Sequence, residues 1–168
     1  MALEVEDGTG KTNSESYASV INADDYQTGR GNTLWFTLST NEKEQALRRA
    51  TDYMVQTYRD RWSGTRVTIT QALDWPRYDV VIDAITSVDS DIVPYDIVHA
   101  CIDLAFMAAA GNLMPNIKQN AIRKKVSDIE IEYDRLSSQR TKYNVIDSIL
   151  APYLKGFTSG INSRLVRS

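Results

Sequence analysis

The chain has 168 residues and a mass of 18.9 kDa, which fits one domain because a domain usually contains about 100–200 residues. With 42% hydrophobic and 24% charged residues, the composition excludes an intrinsically disordered chain. A single cysteine, Cys101, and a single histidine, His99, exclude a disulfide framework, a cysteine-rich zinc site and chemistry that needs two imidazoles. No stretch approaches the ~18–20 apolar residues of a membrane span, and the acidic N-terminus is unlike a secretory signal.

Charge is distributed unevenly along the sequence. Residues 1–117 carry 9 basic and 17 acidic side chains, a net charge of −8, whereas residues 118–168 carry 10 basic and 5 acidic side chains, a net charge of +5. A basic segment on an acidic body is typical of a protein with two different neighbours. A solvated basic face would give the same pattern, so the charge alone leaves both interpretations open.

The first 31 residues predict an extended arm and a short helix. Residues 2–6 alternate in polarity, which is typical of a short strand or an extended arm. A helix over about residues 20–28 follows, with Ser19 as a suitable N-cap. Gly29 and Gly31 can end this helix, because glycine tolerates the left-handed conformation found at helix C-termini.

The clearest helical signal covers residues 40–59. Ser39 and Glu42 have the spacing of a capping box, in which each side chain binds the backbone N–H of the other residue. Side chains suited to a buried face then recur with the 3.6-residue period of a helix. They are Ala46, Leu47, Ala50, Tyr53, Met54 and Thr57.

Residues 60–93 are less regular. The Trp-Ser-Gly sequence at 62–64 predicts a turn. One helical turn is predicted over residues 70–74, ending before Pro76 because the residue that precedes a proline avoids the helical region. The stretch 79–91 is apolar but interrupted by aspartates, and this pattern predicts a loop.

A third helix is predicted between Pro94, where a missing N–H costs nothing, and Gly111. Nearly every side chain between them is apolar, so this helix should be buried on nearly every side and lie at the centre of the fold. Alternating side chains over residues 122–133 then predict a β-hairpin. A last helix begins near Asn144, a suitable N-cap, and Pro152 ends or bends it.

Together these elements predict a mainly α protein with a four-helix core, a small β-hairpin and extended N- and C-terminal arms. Residues 1–155 form a single domain in this interpretation, with the hairpin at about 122–133. Residues 156–168 contain two glycines and four serines or threonines without periodicity, and they form a C-terminal tail.

One motif suggests nucleotide binding. The segment 8–12, Gly-Thr-Gly-Lys-Thr, resembles the end of a phosphate-binding loop, where backbone N–H groups surround phosphate oxygens and a lysine neutralises them. That motif needs a further glycine at the position of Val5 and an apolar helix directly after the loop, and the sequence has neither. The segment therefore predicts a mobile turn without a nucleotide.

The remaining reactive residues do not form a catalytic set. His99 and Asp103 could supply only two metal ligands, so a hydrogen-bonded core or interface histidine is expected. No basic residue on its helix would lower the pKa of Cys101, which argues against a nucleophile. The aspartates between positions 74 and 91 lack the spacing of a calcium loop. We therefore expect no enzymatic activity, no metal and no cofactor.

Aromatic and basic residues are interleaved in the N-terminal half, as in proteins that stack single-stranded bases among cations. The residues concerned are Trp35, Phe36, Trp62, Trp75, Arg30, Arg59, Arg61, Arg66 and Arg77. The net charge of −8 over residues 1–117 opposes this interpretation. The alternative is that Trp62 and Trp75 attach an irregular loop to the helices.

Two segments, residues 94–106 and 143–154, resemble tailed-phage head–tail connector (adaptor) proteins, which typically end in a helix of the form V-x-x-L-L-x-P-Y. Further segments in the N-terminal half are similar to phage-encoded proteins often labelled "DnaT-like single-stranded DNA-binding". They are Val5–Gly10, Ser16-Tyr17, Arg48–Tyr53 and Gln71–Arg77. The resemblance spans about residues 3–155.

The resemblance to adaptors implies an all-α core with a small β-hairpin, assembled as a ring that is commonly twelve-fold. Such a ring lies under the portal and extends the DNA channel toward the tail. The aspartate-rich loop at 79–91 departs from the family pattern, so contacts made by that loop are not transferred.

Two sets of residues are candidates for contacts in such an assembly. In the tail, Leu165 and Val166 offer apolar anchors, and Arg164 and Arg167 offer guanidinium groups to carboxylates, with Ile161 as a further anchor. We expect this tail to dock on the portal. Four cations on or before the hairpin would approach DNA or pair with Glu130 or Glu132 of a neighbouring subunit: Lys118, Arg123, Lys124 and Lys125.

The sequence therefore favours a structural head-to-tail adaptor of a tailed bacteriophage. Its expected partners are the portal protein, copies of itself in a ring, a downstream neck or tail protein, and the double-stranded DNA that passes through the channel, with no membrane. The expected location is the neck of the virion, and the host cytoplasm before assembly. The alternative is a single-stranded DNA-binding replication protein.

Overall fold

The structure, a computed structural model, describes residues 2–83, 85–115, 121–124, 131–133 and 141–155. Four α-helices are present in these ranges: α1 (Val20–Gly29), α2 (Thr40–Tyr58), α3 (Tyr95–Ala110) and α4 (Asn144–Leu150). Three 3₁₀ segments accompany them: Thr33–Thr37, Arg59–Arg61 and Ala151–Tyr153. Within the described residues, no helix is both long and apolar enough to cross a membrane.

Within the same described ranges, six short strands form three separate antiparallel pairs. They are β1 (Thr65–Arg66) with β2 (Arg77–Tyr78), β3 (Val81–Ile82) with β4 (Thr86–Ser87), and β5 (Ala121–Lys124) with β6 (Ile131–Tyr133). The last pair is the predicted hairpin, in which Lys124 lies opposite Ile131. The predicted mainly α fold with a small β-hairpin is confirmed.

The core is centred on α3, which packs against α2 and α4. On α2 the buried side chains include the predicted stripe of Ala46, Leu47, Ala50, Tyr53 and Met54. On α3 the fully or almost fully buried residues are Ile97, Ala100, Cys101, Ile102, Leu104, Ala105 and Ala108. Removing each large apolar side chain from water contributes about 1.5–3 kcal/mol, so this contact supplies much of the driving force for folding.

Local hydrogen bonds fix where the first two helices begin. The Ser39 Oγ accepts a hydrogen bond from the Glu42 N–H, while the Glu42 carboxylate accepts one from the Ser39 N–H at 2.8 Å, which confirms the capping box. Hydrogen bonds from Ser39 lower the pKa of Glu42. At α1 the Ser19 Oγ accepts a hydrogen bond from the Asn22 N–H at 3.0 Å, as predicted.

The prediction for the start of α4 is wrong by one residue. Asn144 is the first helical residue, and Tyr143 occupies the N-cap position without a side-chain capping bond. The predicted end is confirmed, because α4 stops at Leu150 and Pro152 lies in the following 3₁₀ segment.

Residues 70–74 do not form the predicted helical turn. The amide side chain of Gln71 instead accepts a hydrogen bond from the Thr68 N–H at 2.9 Å and donates to the carbonyls of Leu73, at 2.9 Å, and Pro76, at 3.1 Å. These bonds join the Gln71 side chain to backbone groups before and after it, and they stabilise a series of bends in place of the helical turn.

The stretch 79–91 is not simply a loop, because it contains the hairpin of β3 and β4. Two aspartates adopt left-handed backbone conformations there, Asp79 with φ of 57° and Asp83 with φ of 52°. Aspartate tolerates this conformation better than most residues, which explains why aspartates interrupt an otherwise apolar stretch. Val80 is fully buried beside the hairpin and its carbonyl accepts a hydrogen bond from the Val88 N–H at 2.9 Å.

The 3₁₀ segment at 33–37 was not predicted, and one carboxylate fixes its position. Trp35 is fully buried, and its Nε1 donates a hydrogen bond to Asp24 Oδ1 at 2.6 Å. Lys43 Nζ from α2 donates to the same oxygen at 2.8 Å. Asp24 therefore joins α1, the 3₁₀ segment and α2.

Candidate functional site

The glycine-rich segment 8–12 is closed around a carboxylate of the chain itself. Glu6 is 4% exposed, and its Oε1 accepts hydrogen bonds from the N–H groups of Gly8, at 3.1 Å, and Gly10, at 2.9 Å. Its Oε2 accepts from the Lys11 N–H at 3.0 Å and from the Ser14 hydroxyl at 2.7 Å. The donors that could surround a phosphate are thus already satisfied by Glu6.

The lysine of this segment is also engaged within the protein. Lys11 Nζ donates to the Val5 carbonyl at 2.9 Å and pairs with Asp7 at 3.0 Å. Hydrogen bonds from Thr9 and Lys11 lower the pKa of Asp7 to about 2. At Gly8, with φ of +100°, a Cβ atom would lie 2.0 Å from the Asp91 carbonyl oxygen. The segment is a structural turn that is held from several sides, rather than the mobile turn that we predicted.

The three tryptophans are part of the core and cannot stack on bases. Trp35, Trp62 and Trp75 are all fully buried. The ring centroids of Trp62 and Trp75 lie 5.7 Å apart in an edge-to-face arrangement, and Trp75 meets Tyr153 in the same way at 5.6 Å. The interpretation that Trp62 and Trp75 attach an irregular loop to the helices is confirmed.

The arginines near these tryptophans also contact the protein itself. Arg77 is 7% exposed, and its guanidinium donates to the carbonyls of Ser63, Gly64 and Asp74 at 2.7–3.0 Å. Burial lowers the pKa of Arg77. Arg59 donates to the buried carboxylate of Asp74 at 3.0 Å. The other three arginines contact neighbouring groups as follows: Arg30 the Tyr26 ring, Arg61 the Tyr58 ring, and Arg66 the Gln71 carbonyl.

A second group of aromatic residues lies on the surface where α1 meets α3. The guanidinium carbon of Arg30 is 3.3 Å from the centroid of the Tyr26 ring, and the His99 ring is 4.5 Å from the same ring. Tyr95 lies 5.8 Å from His99. Arg30, Tyr26, His99 and Tyr95 thus form a continuous series of contacts, which we call the aromatic series, and Tyr95 at its end is 81% exposed.

The aromatic series borders a cleft of about 280 Å³ between the two helices. The residues that line the cleft are Asn22, Asp25, Tyr26, Tyr95, Val98, His99 and Ile102. Asp103 lies beside it and accepts a hydrogen bond from the Tyr26 hydroxyl at 2.9 Å. Burial raises the pKa of Asp103, and burial together with Asp103 raises the pKa of Tyr26 to about 12.

The environment of His99 differs in one respect from the predicted one. Among the residues that the structure describes, His99 forms no hydrogen bond, and its contacts are the rings of Tyr26 and Tyr95. Burial and the nearby Arg30 charge lower the pKa of His99 below its ordinary value of 6.5. His99 is therefore an aromatic member of a surface cleft.

Cys101 lies deep in the core, as expected of a small apolar side chain. Its Sγ is 3.4 Å from the Thr51 hydroxyl and 3.8 Å from the Ser16 hydroxyl, and burial raises the pKa of its thiol. In the part of the chain covered by the structure, no three His, Cys, Asp or Glu side chains are grouped as metal ligands.

Most of the contact residues predicted from the sequence lie outside the described residues. These are Lys118 and Lys125, and the tail residues Ile161, Arg164, Leu165, Val166 and Arg167. Arg123 and Lys124 belong to β5. All of these assignments stay predictions.

Tyr26 and Tyr95 are site residues that were not predicted, although the sequence contains a signal for the aromatic series. Tyr26 and Arg30 are four residues apart, as are Tyr95 and His99, and residues at this spacing on a helix lie on the same face. What the spacing does not reveal is that these two pairs belong to helices that pack side by side.

A model of the protein family described as "Putative DnaT-like ssDNA binding protein" matches residues 1–168, which is the whole chain. No curated protein and no solved structure matches the chain.

Replacing Glu6 tests the closed glycine-rich segment. The variant Glu6→Ala leaves several buried donors without an acceptor, so we expect it to lower the free energy of unfolding by about 3 kcal/mol or more, measured by urea denaturation. Glu4→Ala, an exposed carboxylate on the same arm, should cost less than about 0.5 kcal/mol. Equal stability of the two variants would contradict the assigned role of Glu6.

The titration of His99 tests the environment of the cleft. We expect NMR of this single histidine to give a pKa below 6.5, and Arg30→Gln to raise that pKa because a neighbouring positive charge is removed. A lowered folded-state pKa contributes stability that is fully present above pH 6.5 and is lost as the pH falls through the folded-state value. Arg49→Gln on α2 is the control. A wild-type pKa of 6.5 or above would contradict the described environment.

Proposed function

The chain belongs to the DnaT-like family, and we propose that it serves as a structural head-to-tail adaptor of a tailed bacteriophage. In this proposal, copies of the chain form a ring that docks on the portal and extends the DNA channel toward the tail. The ring carries out no reaction, and its role is to connect macromolecules.

One observation supports the proposal most strongly: the tryptophans and two arginines that could bind bases contact other groups of the protein itself. The three tryptophans are fully buried, and Arg59 and Arg77 bind a carboxylate and carbonyls of the chain itself. A protein that stacks single-stranded bases needs exposed aromatic rings among free cations. The three tryptophans and Arg77 are instead buried parts of the fold, which favours a structural role.

The resemblance to adaptor proteins supports the proposal from a second direction. The two segments that carry it, 94–106 and 143–154, coincide with α3 and with α4 and its 3₁₀ extension. These elements pack against each other, and Tyr153 donates a hydrogen bond from its hydroxyl to Asp96 at 2.9 Å. The resembling segments are thus neighbours in one part of the fold, as expected if they share a common origin with adaptors.

The proposed partners are the portal protein, further copies of the chain, a downstream neck or tail protein, and the double-stranded DNA in the channel. The proposed location is the neck of the virion, after assembly from the host cytoplasm. The tail, with Leu165 and Val166 between two arginines, is the proposed portal contact. The basic residues around β5 are the proposed contact with DNA or with the neighbouring subunit.

A second candidate function is single-stranded DNA binding in replication. The description of the matching family favours it, as does the net charge of +5 over residues 118–168. If this function is correct, we expect binding to rely on that basic segment, because the three tryptophans are fully buried and Arg59 and Arg77 contact groups of the chain itself.

The two candidates make opposite predictions when the purified chain is mixed with portal rings of its phage. The adaptor proposal expects negative-stain images to contain a second ring layer on the portal. It also expects that a variant lacking residues 157–168 folds normally, by circular dichroism, but no longer adds this layer. Full binding of the shortened variant would contradict the role of the tail, and absence of the layer with the intact chain would contradict the adaptor proposal.

A gel-shift experiment provides the complementary test. The adaptor proposal expects no shift of a single-stranded oligonucleotide at physiological salt. A retained complex whose affinity falls steeply with added salt would indicate several phosphate contacts and favour the replication role.

A further inference from the structure

We propose that the cleft between α1 and α3 is the acceptor half of a head-to-tail contact between two copies of this chain, and that it binds the basic β5 strand region of the neighbouring copy. This inference rests on the ring-forming part of the proposed function. It adds the surface through which neighbouring copies recognise each other.

The wall of the cleft offers aromatic rings that can bind a cation. Tyr95 is 81% exposed and lies at the open end of the aromatic series, next to His99. The chain's own Arg30 already binds the other end of the series through the face of Tyr26, at 3.3 Å from the ring centroid. A guanidinium or ammonium group from a neighbour could contact Tyr95 in the same way, because a cation is attracted to the face of an aromatic ring.

The two helices carry an excess of negative charge. Together α1, its C-cap residue Arg30 and α3 contain one arginine and four aspartates, which are Asp24, Asp25, Asp96 and Asp103. Asp24 is neutralised by Lys43, and Asp96 and Asp103 accept hydrogen bonds from tyrosines. Asp25 lines the cleft, is exposed, and has no ion pair or hydrogen bond within the described residues. It can therefore pair with an incoming cation.

A segment of complementary charge occurs in the same chain. Residues 118–125 contain four basic residues and no acidic residue, and Arg123 and Lys124 of this group belong to β5. When one chain carries two different surfaces that complement each other, copies associate head to tail. A head-to-tail contact closes into a ring or extends into a filament.

The same charges argue against other occupants of the cleft. A nucleic-acid strand would bring phosphates toward the carboxylate of Asp25, which repels them. An acidic or purely apolar partner segment would leave Asp25 without a counter-charge. A basic segment of a second copy satisfies both the aromatic wall and the carboxylate.

Complementary variants test this contact in the full chain. The acceptor variant combines Asp25→Lys with Tyr95→Ala, and the donor variant combines Arg123→Glu with Lys124→Glu. Each variant loses one half of the contact, so each alone should be monomeric by analytical ultracentrifugation. An equal mixture retains one intact acceptor and one intact donor, and it should form a 1:1 dimer of two 18.9 kDa chains. Wild type should form larger species as its concentration rises.

The matched control is Asp89→Lys, which makes the same charge change at an exposed aspartate of the β4 to α3 connection. It should associate like wild type, and circular dichroism should show that all variants are folded. The inference is overturned if wild type stays monomeric at the highest attainable concentration, if the acceptor variant associates like wild type, or if the mixture remains monomeric.

Addition of the same proteins to portal rings separates this inference from the proposed function. If wild type and the acceptor variant both add a ring layer, the adaptor role stands and the inference fails. If the mixture forms its dimer but wild type adds no layer to the portal, the inference stands and the adaptor role fails.

Discussion

The edge-to-face contact between Trp62 and Trp75 is the interaction on which the rest of the structure depends. The Trp62 ring also meets the ring of Tyr58 at the end of α2, with centroids 5.7 Å apart, and the Trp75 ring meets that of Tyr153 after α4 at 5.6 Å. Backbone bonds reinforce this connection, since the Ser63 N–H donates to the Tyr153 carbonyl at 2.9 Å. The irregular stretch between α2 and α3 is thereby fixed to the end of α2 and to the 3₁₀ segment after α4, and the fully buried indole rings are unavailable to a ligand.

This constraint decides which surfaces remain for function. Arg59 and Arg77 are bound to Asp74 and to carbonyls of the irregular stretch, and the glycine-rich segment is closed by Glu6. Groups that in another setting would bind phosphates or bases are therefore part of the scaffold here. The α1–α3 cleft has an exposed tyrosine and an aspartate that is unpaired within the described residues, and we propose it as a contact between copies of the chain. The basic segment 118–125 of the sequence is the proposed occupant.

The sequence predicts those elements that are fixed by interactions between residues close together in the chain, and it misses those that depend on contacts between distant residues. The span of α2 was predictable because a capping box and a 3.6-residue stripe are local signals, and the long apolar run of α3 marked the centre of the fold. The bends at 70–74 were not predictable, since they depend on bonds from the Gln71 side chain to the backbone, which propensities do not record. The closure of the glycine-rich segment by Glu6 was missed because the sequence shows glycines and a lysine but not which acceptor they meet. The cleft depends on how α1 and α3 pack, which spacing alone does not give.

The central claim is that the three tryptophans, together with Arg59 and Arg77, belong to the scaffold. Tryptophan fluorescence during titration with oligodeoxythymidine tests this claim most directly. Because all three indoles are fully buried, the account predicts a blue-shifted emission that shifts to longer wavelength only on denaturation, and no saturable quenching by the oligonucleotide at physiological salt. Saturable quenching of the folded protein would show that bases reach the indole rings, and it would contradict the account.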